Sequence, residues 1–286
     1  MSDKNVVFIT GVSSGIGYGL LTNLIESGYF VIGTVRTQED LEKISNITGS
    51  KGKIVQFDVQ DREKTKQVIK DVSPILDSHG LFALIHNVGI VFPGPLQYIS
   101  DVEFDQAMDV NVHAVRRISQ ALLPWLGVNP QFKPGKIIHI SSVSGLVNMP
   151  FNGTYCISKH ALESMNDIFR RELASFGIKV TAIEPGPIKT PIWKKNLGKM
   201  DKYFQTEYKD VVQKADKIIL NSEKIGLPVT AVVSVVKKVL ESNNPKHRYL
   251  VHPKPFFFRL FLSIPSTIQD YLILKTLKKG DKFRPV

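Results

Sequence analysis

The chain has 286 residues, 43% of them apolar, enough for a sizeable core in one large domain or two small ones. Its net charge of +11 is uneven: residues 1–189 hold 18 basic and 18 acidic side chains, residues 190–286 hold 19 and 8, and the scattered lysines lack the stacking aromatics or helix-turn-helix pattern of a nucleic-acid binder. A lone cysteine, Cys156, excludes a disulfide within the chain and fits a reducing, cytoplasmic setting; the N-terminus lacks a signal-peptide layout, and no run approaches the ~20 apolar residues that span a bilayer.

In chain order, apolar runs of strand length alternate with amphipathic stretches. "VVFIT" (6–10) predicts a buried strand, followed by a glycine-rich turn and a helix near 15–27. "FVIGTV" (30–35) precedes a helix near 38–46, "KIVQFDV" (53–59) one near 61–77, and "LFALIHN" (81–87) a long helical pattern from about 101 to 126. "GKIIHISS" (135–142), a helix near 153–176 and "IKVTAIEPG" (178–186) continue the series. This alternation predicts βαβ units: an α/β, Rossmann-type, doubly wound parallel sheet with helices on both faces and right-handed crossovers. Beyond 190, "TPIWKKNLGKMDKYF" is polar and Lys-rich and fits an excursion from the sheet; 228–241 reads as a helix and "RYLV" (248–251) as a last strand. With no linker-like boundary, residues 1–252 read as one domain with an insertion at 190–228, followed by a tail at 253–286.

Directly after the first strand, "TGVSSGIG" (10–17) sets Gly11, Gly15 and Gly17 in the order T-G-x-x-x-G-x-G. Small residues at a strand-to-helix turn let the backbone approach a pyrophosphate, and the helix start supplies free N–H groups and a positive dipole end. "TYCISKHALE" (154–163) puts Tyr155 and Lys159 four apart, on one face of a helix. A second Tyr-x-x-x-Lys, Tyr271 and Lys275, means that the spacing alone decides nothing; the setting must.

The setting comes from further motifs in order: "HNVG" (86–89), Asn111 in "VNVHAV", "SSVSG" (141–145) and "PGPIKT" (185–190). Together with the glycine turn and Tyr155–Lys159 they resemble the short-chain dehydrogenase/reductase family, closely over about residues 4–190 and loosely beyond. "GTVR", "ALLPWL" and the late "RYLV" bring the chain nearest the retinol and hydroxysteroid dehydrogenase branch. His86 and Val88 depart from the family's more usual Asn and Ala, while Asn87 and Gly89 remain. His86 is expected to pack at a strand end, and Val88 to crowd the cofactor slightly.

The resemblance implies an oxidoreductase moving hydride between nicotinamide and an alcohol or ketone, with Asn111, Ser142, Tyr155 and Lys159 as catalytic residues. Cofactor contacts are implied for Ser13, Ser14 and Ile16 beside the three glycines, for Asn87, Val88 and Gly89, for Tyr155 and Lys159, and for Pro185, Gly186, Ile188 and Thr190. Asp58 and Val59 would contact adenine, Asp58 alternatively or also capping the next helix. Where an acidic residue would bind the adenosine ribose, this chain has Val35 and then Arg36, whose guanidinium suits a 2′-phosphate: NADP(H) is expected, with NAD(H) the alternative if Arg36 only faces solvent.

A free tyrosine titrates near 10, too high for a good base at neutral pH, and a nearby ammonium favours the phenolate, so Lys159 is expected to lower Tyr155. Ser142 would orient the substrate oxygen, with Ser141 and Ser144 as competitors. Asn111 would hold a water linking Lys159 to solvent, or patch a helix irregularity, or both. Cys156 is expected to pack rather than react. The seven histidines show no metal-ligand spacing, so no metal is expected.

Ile192, Trp193, Leu197, Met200, Tyr203 and Phe204, with Phe92 and Met149, would wall a site for a mainly apolar alcohol or ketone, with steroid, retinoid and other lipid-like carbonyls all open. The tail is expected to cap the cleft or pack at a subunit contact, since Arg259 and Pro265 interrupt its apolar run; peripheral attachment to a membrane surface is the alternative. A homodimer or homotetramer is expected. The rival reading is a non-catalytic dinucleotide sensor or scaffold, against which the proton-relay set argues; a dehydratase or epimerase would need a larger C-terminal substrate domain.

Overall fold

The computed structural model describes residues 5–277. Seven strands form the sheet: β1 (Val6–Ile9), β2 (Phe30–Val35), β3 (Gly52–Gln56), β4 (Ala83–His86), β5 (Lys136–Ile140), β6 (Lys179–Pro185) and β7 (Arg248–Val251). All pairings are parallel, in the order β3-β2-β1-β4-β5-β6-β7. The order reverses direction between β1 and β4, which opens a crevice outside the carboxyl ends of those strands.

Both faces are covered, and successive side chains of β1 feed opposite cores. Val7 and Ile9 pack with Leu20, Leu21 and Leu24 of α1 (Gly15–Glu26) and Val232 and Val236 further on; Val6 and Phe8 pack with Val72, Leu76, Ile118 and Leu122. The remaining helices are α2 (Gln38–Thr48), α3 (Arg62–His79), α4 (Asp101–Met108), α5 (Ala114–Leu122), α6 (Gly153–Glu172), α7 (Ile192–Lys195), α8 (Lys209–Ile225), α9 (Val229–Glu241), α10 (Pro255–Ser263) and α11 (Ser266–Leu277). Side-chain caps set the starts of α2, α3 and α4: Thr37 accepts from Asp40 N, Asp61 from Lys64 N, and Ser100 and Glu103 close a reciprocal box at α4. The predicted long helix at 101–126 is interrupted by a π-helical turn, Asp109–His113, between α4 and α5.

The segment after residue 190 leaves the sheet as expected, but it is not only a polar excursion. Met200 and Tyr203 form a small core with Val212 and Ala215 of α8, joined by Ile99, Phe151 and Phe204. Tyr203 presses on Gly94, where a Cβ would meet its ring at 2.5 Å, so this segment is seated on the loop after β4. The tail forms α10 and α11; its basic end, from residue 278, lies outside the described residues.

Candidate active site

The glycine turn sits at the crevice. Gly11 and Gly15 have φ of 73° and 58°, a left-handed conformation that a Cβ disfavours. Gly17 needs the absence of a Cβ for another reason: the atom would land on the Gly11 carbonyl, so only glycine lets α1 begin against the turn. Thr34 holds the turn from β2, its Oγ1 accepting from Gly11 N at 2.9 Å. Unlike α2, α3 and α4, α1 has no side-chain cap: Ser14 stands at the N-cap in extended conformation, exposed, with no capping hydrogen bond. The helix start therefore offers amide donors and a free hydroxyl to the crevice, the geometry that receives a phosphate.

The loop after β4 is bonded to this turn. Asn87 Nδ2 donates to the carbonyls of Thr10 (3.1 Å) and Gly11 (2.8 Å), and the amides of Asn87 and Val88 both donate to Thr10 Oγ1. The Asn87 side chain is thus spent on shaping the turn. Val88 packs against the turn: a Cβ on Gly11 would meet its Cγ2 at 2.6 Å. Thr190 stands on the other side, its Cβ and Cγ2 each 3.4 Å from where a Gly15 Cβ would lie, so "PGPIKT" is folded back onto the glycine turn. Pro185 ends β6, Gly186 N donates to Val251 O, and Ile188 is buried with its carbonyl held by Trp193 Nε1. Arg36 follows β2 exposed, with no ion-pair partner among the described residues, at the end of the strand beside the turn. Asp58 does not cap α3, a role taken by Asp61; it closes a turn onto Gln60 N instead. Val59 is buried, its carbonyl accepting from Arg117.

The Tyr155–Lys159 pair lies on α6 beneath the ends of β4 and β5. Lys159 is 2% exposed, and its Nζ lies 5.5 Å from the Tyr155 ring centre and donates to Ile140 O at 2.9 Å. Ser142 begins the turn after β5; its Oγ accepts from Ser144 N and faces Pro185 O at 3.5 Å. Gly89 leaves space over the amine: a Cβ there would lie 3.6 Å from Lys159 Nζ and 3.5 Å from Asn111 Oδ1, so the glycine keeps a cradle open between them. Asn111 is fully buried on the π-helical turn. Its Oδ1 accepts from Ile90 N, and its Nδ2 donates to Ile90 O and Ser158 Oγ, each at 2.9 Å. The patching role is therefore real: the amide clamps the irregular turn to the loop carrying Gly89.

In the chain alone Tyr155 is shifted up and not down. Burial pushes the Tyr155 phenol up to about 12, with the hydrogen bond from Ser142 opposing it. Burial likewise lowers Lys159 to about 8, with Glu163 one turn along α6 opposing it. Desolvation outweighs the pairing because it disfavours both charged forms at once, and the amine is turned toward a backbone carbonyl. At neutral pH the chain holds a phenol beside an ammonium.

Ser141 is buried, its amide on Ile183 O, while Ser142 adjoins Tyr155. Cys156 is buried with Sγ accepting from Met149 N. His86 ends β4, as expected, buried, stacked on His139 at 5.4 Å and bonded to Ser119. Tyr271 and Lys275 share a face of α11 at 5.9 Å, but Tyr271 is exposed and away from the crevice. Among the expected walls, Met200 and Tyr203 are core, whereas Met149 and Ile192 present exposed surface. Thr10, Thr34 and Ser158 were not singled out by sequence, although each holds a site residue in place; Thr10 alone had a signal, as the first letter of the glycine motif.

A cradle at Gly89, a turn whose Gly11, Gly15 and Gly17 carry no Cβ, and an uncapped helix start together fit a dinucleotide. Residues 5–201 match the family described as short chain dehydrogenase, and the chain belongs to that family of oxidoreductases. It is 37% identical to an NADPH-dependent 3-dehydrocapnine reductase of Ornithobacterium rhinotracheale over 95% of this chain and 96% of that one. It is 28% identical to retinol dehydrogenase 16 of Mus musculus over 99% and 91%. A short-chain dehydrogenase from Streptomyces avermitilis has the same fold, with a TM-score of 0.77, 22% identity and coverage of 99% and 100%.

Proposed function

We propose that the chain is an NADPH-dependent reductase of a ketone on a mainly apolar, lipid-like molecule, with Tyr155 delivering the proton. The observation that carries this reading is the partly buried Tyr155 beside buried Lys159 and Ser142, phenol and ammonium side by side at the crevice. NADPH, when bound, supplies hydride to the carbonyl carbon; the residues that would hold it are the glycine turn with Ser13, Ser14 and Ile16, Arg36, Asp58 and Val59, the 87–89 loop, Tyr155 and Lys159, and residues 185–190. Ser142 donates to the carbonyl oxygen and fixes its direction. Tyr155, held as the phenol by burial, gives up its proton to that oxygen as negative charge develops there. Lys159, lowered to about 8, is the neighbouring acid that restores it. Asn111 keeps Gly89 and Lys159 in register, and with Lys159 begins the relay to solvent.

The name of the 37% identical relative supports NADPH and the direction of reduction. Arg36, exposed and without an ion-pair partner among the described residues at the end of β2, supports the 2′-phosphate. Met149 and Ile192, apolar and exposed in the segments flanking the crevice, favour an apolar substrate. A carbonyl panel of steroid, retinoid and long-chain keto-lipid substrates, followed at the nicotinamide absorbance band with NADPH and NADH in parallel, tests the reading. NADPH should be preferred, and Arg36→Ala should cut that preference by roughly tenfold while leaving NADH turnover unchanged. Equal or better use of NADH by the wild type overturns the cofactor assignment. No turnover of any carbonyl with either cofactor, in protein that binds NADPH, overturns the reductase reading.

A further inference from the structure

We propose that α10 and α11 are a docking element that lies on the surface of an anionic lipid bilayer and holds the crevice at the membrane. The two helices turn large apolar side chains to solvent in stripes of helical spacing. On α10 these are Phe256, Phe257 and Leu260, 73%, 67% and 53% exposed; on α11 they are Ile268, Tyr271 and Leu272, 48%, 53% and 40% exposed. Ile273, Leu274 and Leu277 of α11 lie partly buried, while Ser266, Thr267, Asp270 and Lys275 are its exposed polar positions beside the apolar ones. A soluble surface rarely carries so dense a set of exposed aromatic and aliphatic residues unless it meets something.

Charge selects the occupant. Residues 253–286 carry seven basic side chains and two acidic ones, a balance that attracts an anionic bilayer and opposes pairing with a second basic copy of the same segment. The interruptions that first argued against a membrane now fit one. Pro265 sits at the junction of the two helices, its carbonyl accepting from Ile268 N and Gln269 N, and Arg259 stands exposed beside the apolar stripe, placed to reach headgroups. No helix among the described residues is long and apolar enough to cross a membrane, so the contact is with the surface.

The element is rooted at the site. Gly186 N bonds Val251 O, the His252 ring fills the space where a Gly186 Cβ would be, and Phe258 of α10 packs on His252 at 4.9 Å. The tail therefore leaves the fold at the carboxyl ends of β6 and β7, next to the 185–190 motif, and an apolar substrate could pass from the bilayer to the crevice without crossing water.

Flotation of the full-length protein with vesicles of phosphatidylcholine, with and without phosphatidylglycerol, tests this. The wild type should float with the anionic vesicles and release in high salt. The double variant Phe257→Glu/Leu260→Glu should float at least roughly tenfold less, while keeping wild-type turnover of a water-soluble carbonyl and wild-type NADPH binding, which separates this result from any failure of the proposed activity. Wild-type protein that stays in the soluble fraction overturns the proposal, as does flotation that the double variant does not weaken. A dimer in sedimentation that forms without lipid and is abolished by the same variant also overturns it, by assigning the face to a second copy.

Discussion

Two Tyr-x-x-x-Lys pairs occur in the chain with nearly the same geometry, an ammonium 5.5 Å from the Tyr155 ring and 5.9 Å from the Tyr271 ring, yet only one lies in a site. Burial makes the difference, because it moves both members of the first pair toward their neutral forms. Tyr155→Phe removes the proton donor and leaves ring packing intact. It should lower kcat by roughly 10²–10⁴-fold with NADPH affinity unchanged, as read by turnover and by titration of the bound cofactor. Loss of NADPH binding instead of turnover would assign Tyr155 to binding. The ordering of the pair also fixes a pH limb. Lys159 loses its proton near 8, while Tyr155 keeps its own to about 12. If Lys159 restores the tyrosine, kcat/KM for carbonyl reduction should be flat below about pH 8 and fall above it; a profile level to pH 10 would separate Lys159 from the proton path. Neither value was legible in the sequence, since spacing reveals a pair of residues but not how much protein surrounds them.

Between residue and domain, the π-helical turn Asp109–His113 ties the elements of the site together. Asn111 satisfies both backbone groups of Ile90, which otherwise would be buried near Gly89 without partners. Asn111→Ala leaves those groups unpaired and should cost about 2–3 kcal/mol in urea denaturation; an unchanged midpoint would mean that the clamp is dispensable. The sequence placed Asn111 through its motif, and its apolar periodicity ran smoothly from 101 to 126, so the extra residue in the turn left no mark on the pattern. Strands were legible because β1, β4 and β5 are buried on both faces and so read as unbroken apolar runs, although the runs overshot the ladders by a residue or more at their ends. Helix α8 was not legible: Ile218, Leu220 and Ile225 are exposed, and they blur the stripe that Val211, Val212 and Ala215 bury. Thr34 and Ser158 were missed because each acts across elements distant in sequence, one from β2 to the glycine turn and one from α6 to Asn111.

At the scale of the whole molecule, stability against acid is set by a few buried titrating groups of opposite sense. His86 and His139 face each other across β4 and β5 in the centre of the sheet, stacked at 5.4 Å, with His139 bonded to Asn166 and His86 to Ser119. Burial holds His139 at about 4, helped by the Lys159 cation, and holds His86 well below its ordinary value. The unfolded chain takes up these two protons near pH 6.5 and the folded chain refuses them, so stability falls as pH drops from about 6.5 toward 4. Glu184 works in the opposite direction. Buried beside Glu163, it is raised to about 7 despite Arg248, so the folded state carries a proton there that the unfolded state releases above about 4.5. Its contribution is present at low pH and lost as pH rises through 7. Between pH 6.5 and 5 the two histidines, with His252 lowered by burial in the same sense, outweigh the one carboxylate, so unfolding takes up protons and stability falls as pH drops. Urea denaturation of the wild type across this window should show that slope. His139→Gln should make it shallower, and Glu184→Gln, which removes the opposing group, should make it steeper. The comparison is of slopes and not of absolute stabilities, so packing losses in either variant do not disturb it; equal slopes in all three proteins would mean that the buried histidines accept protons without unfolding the sheet.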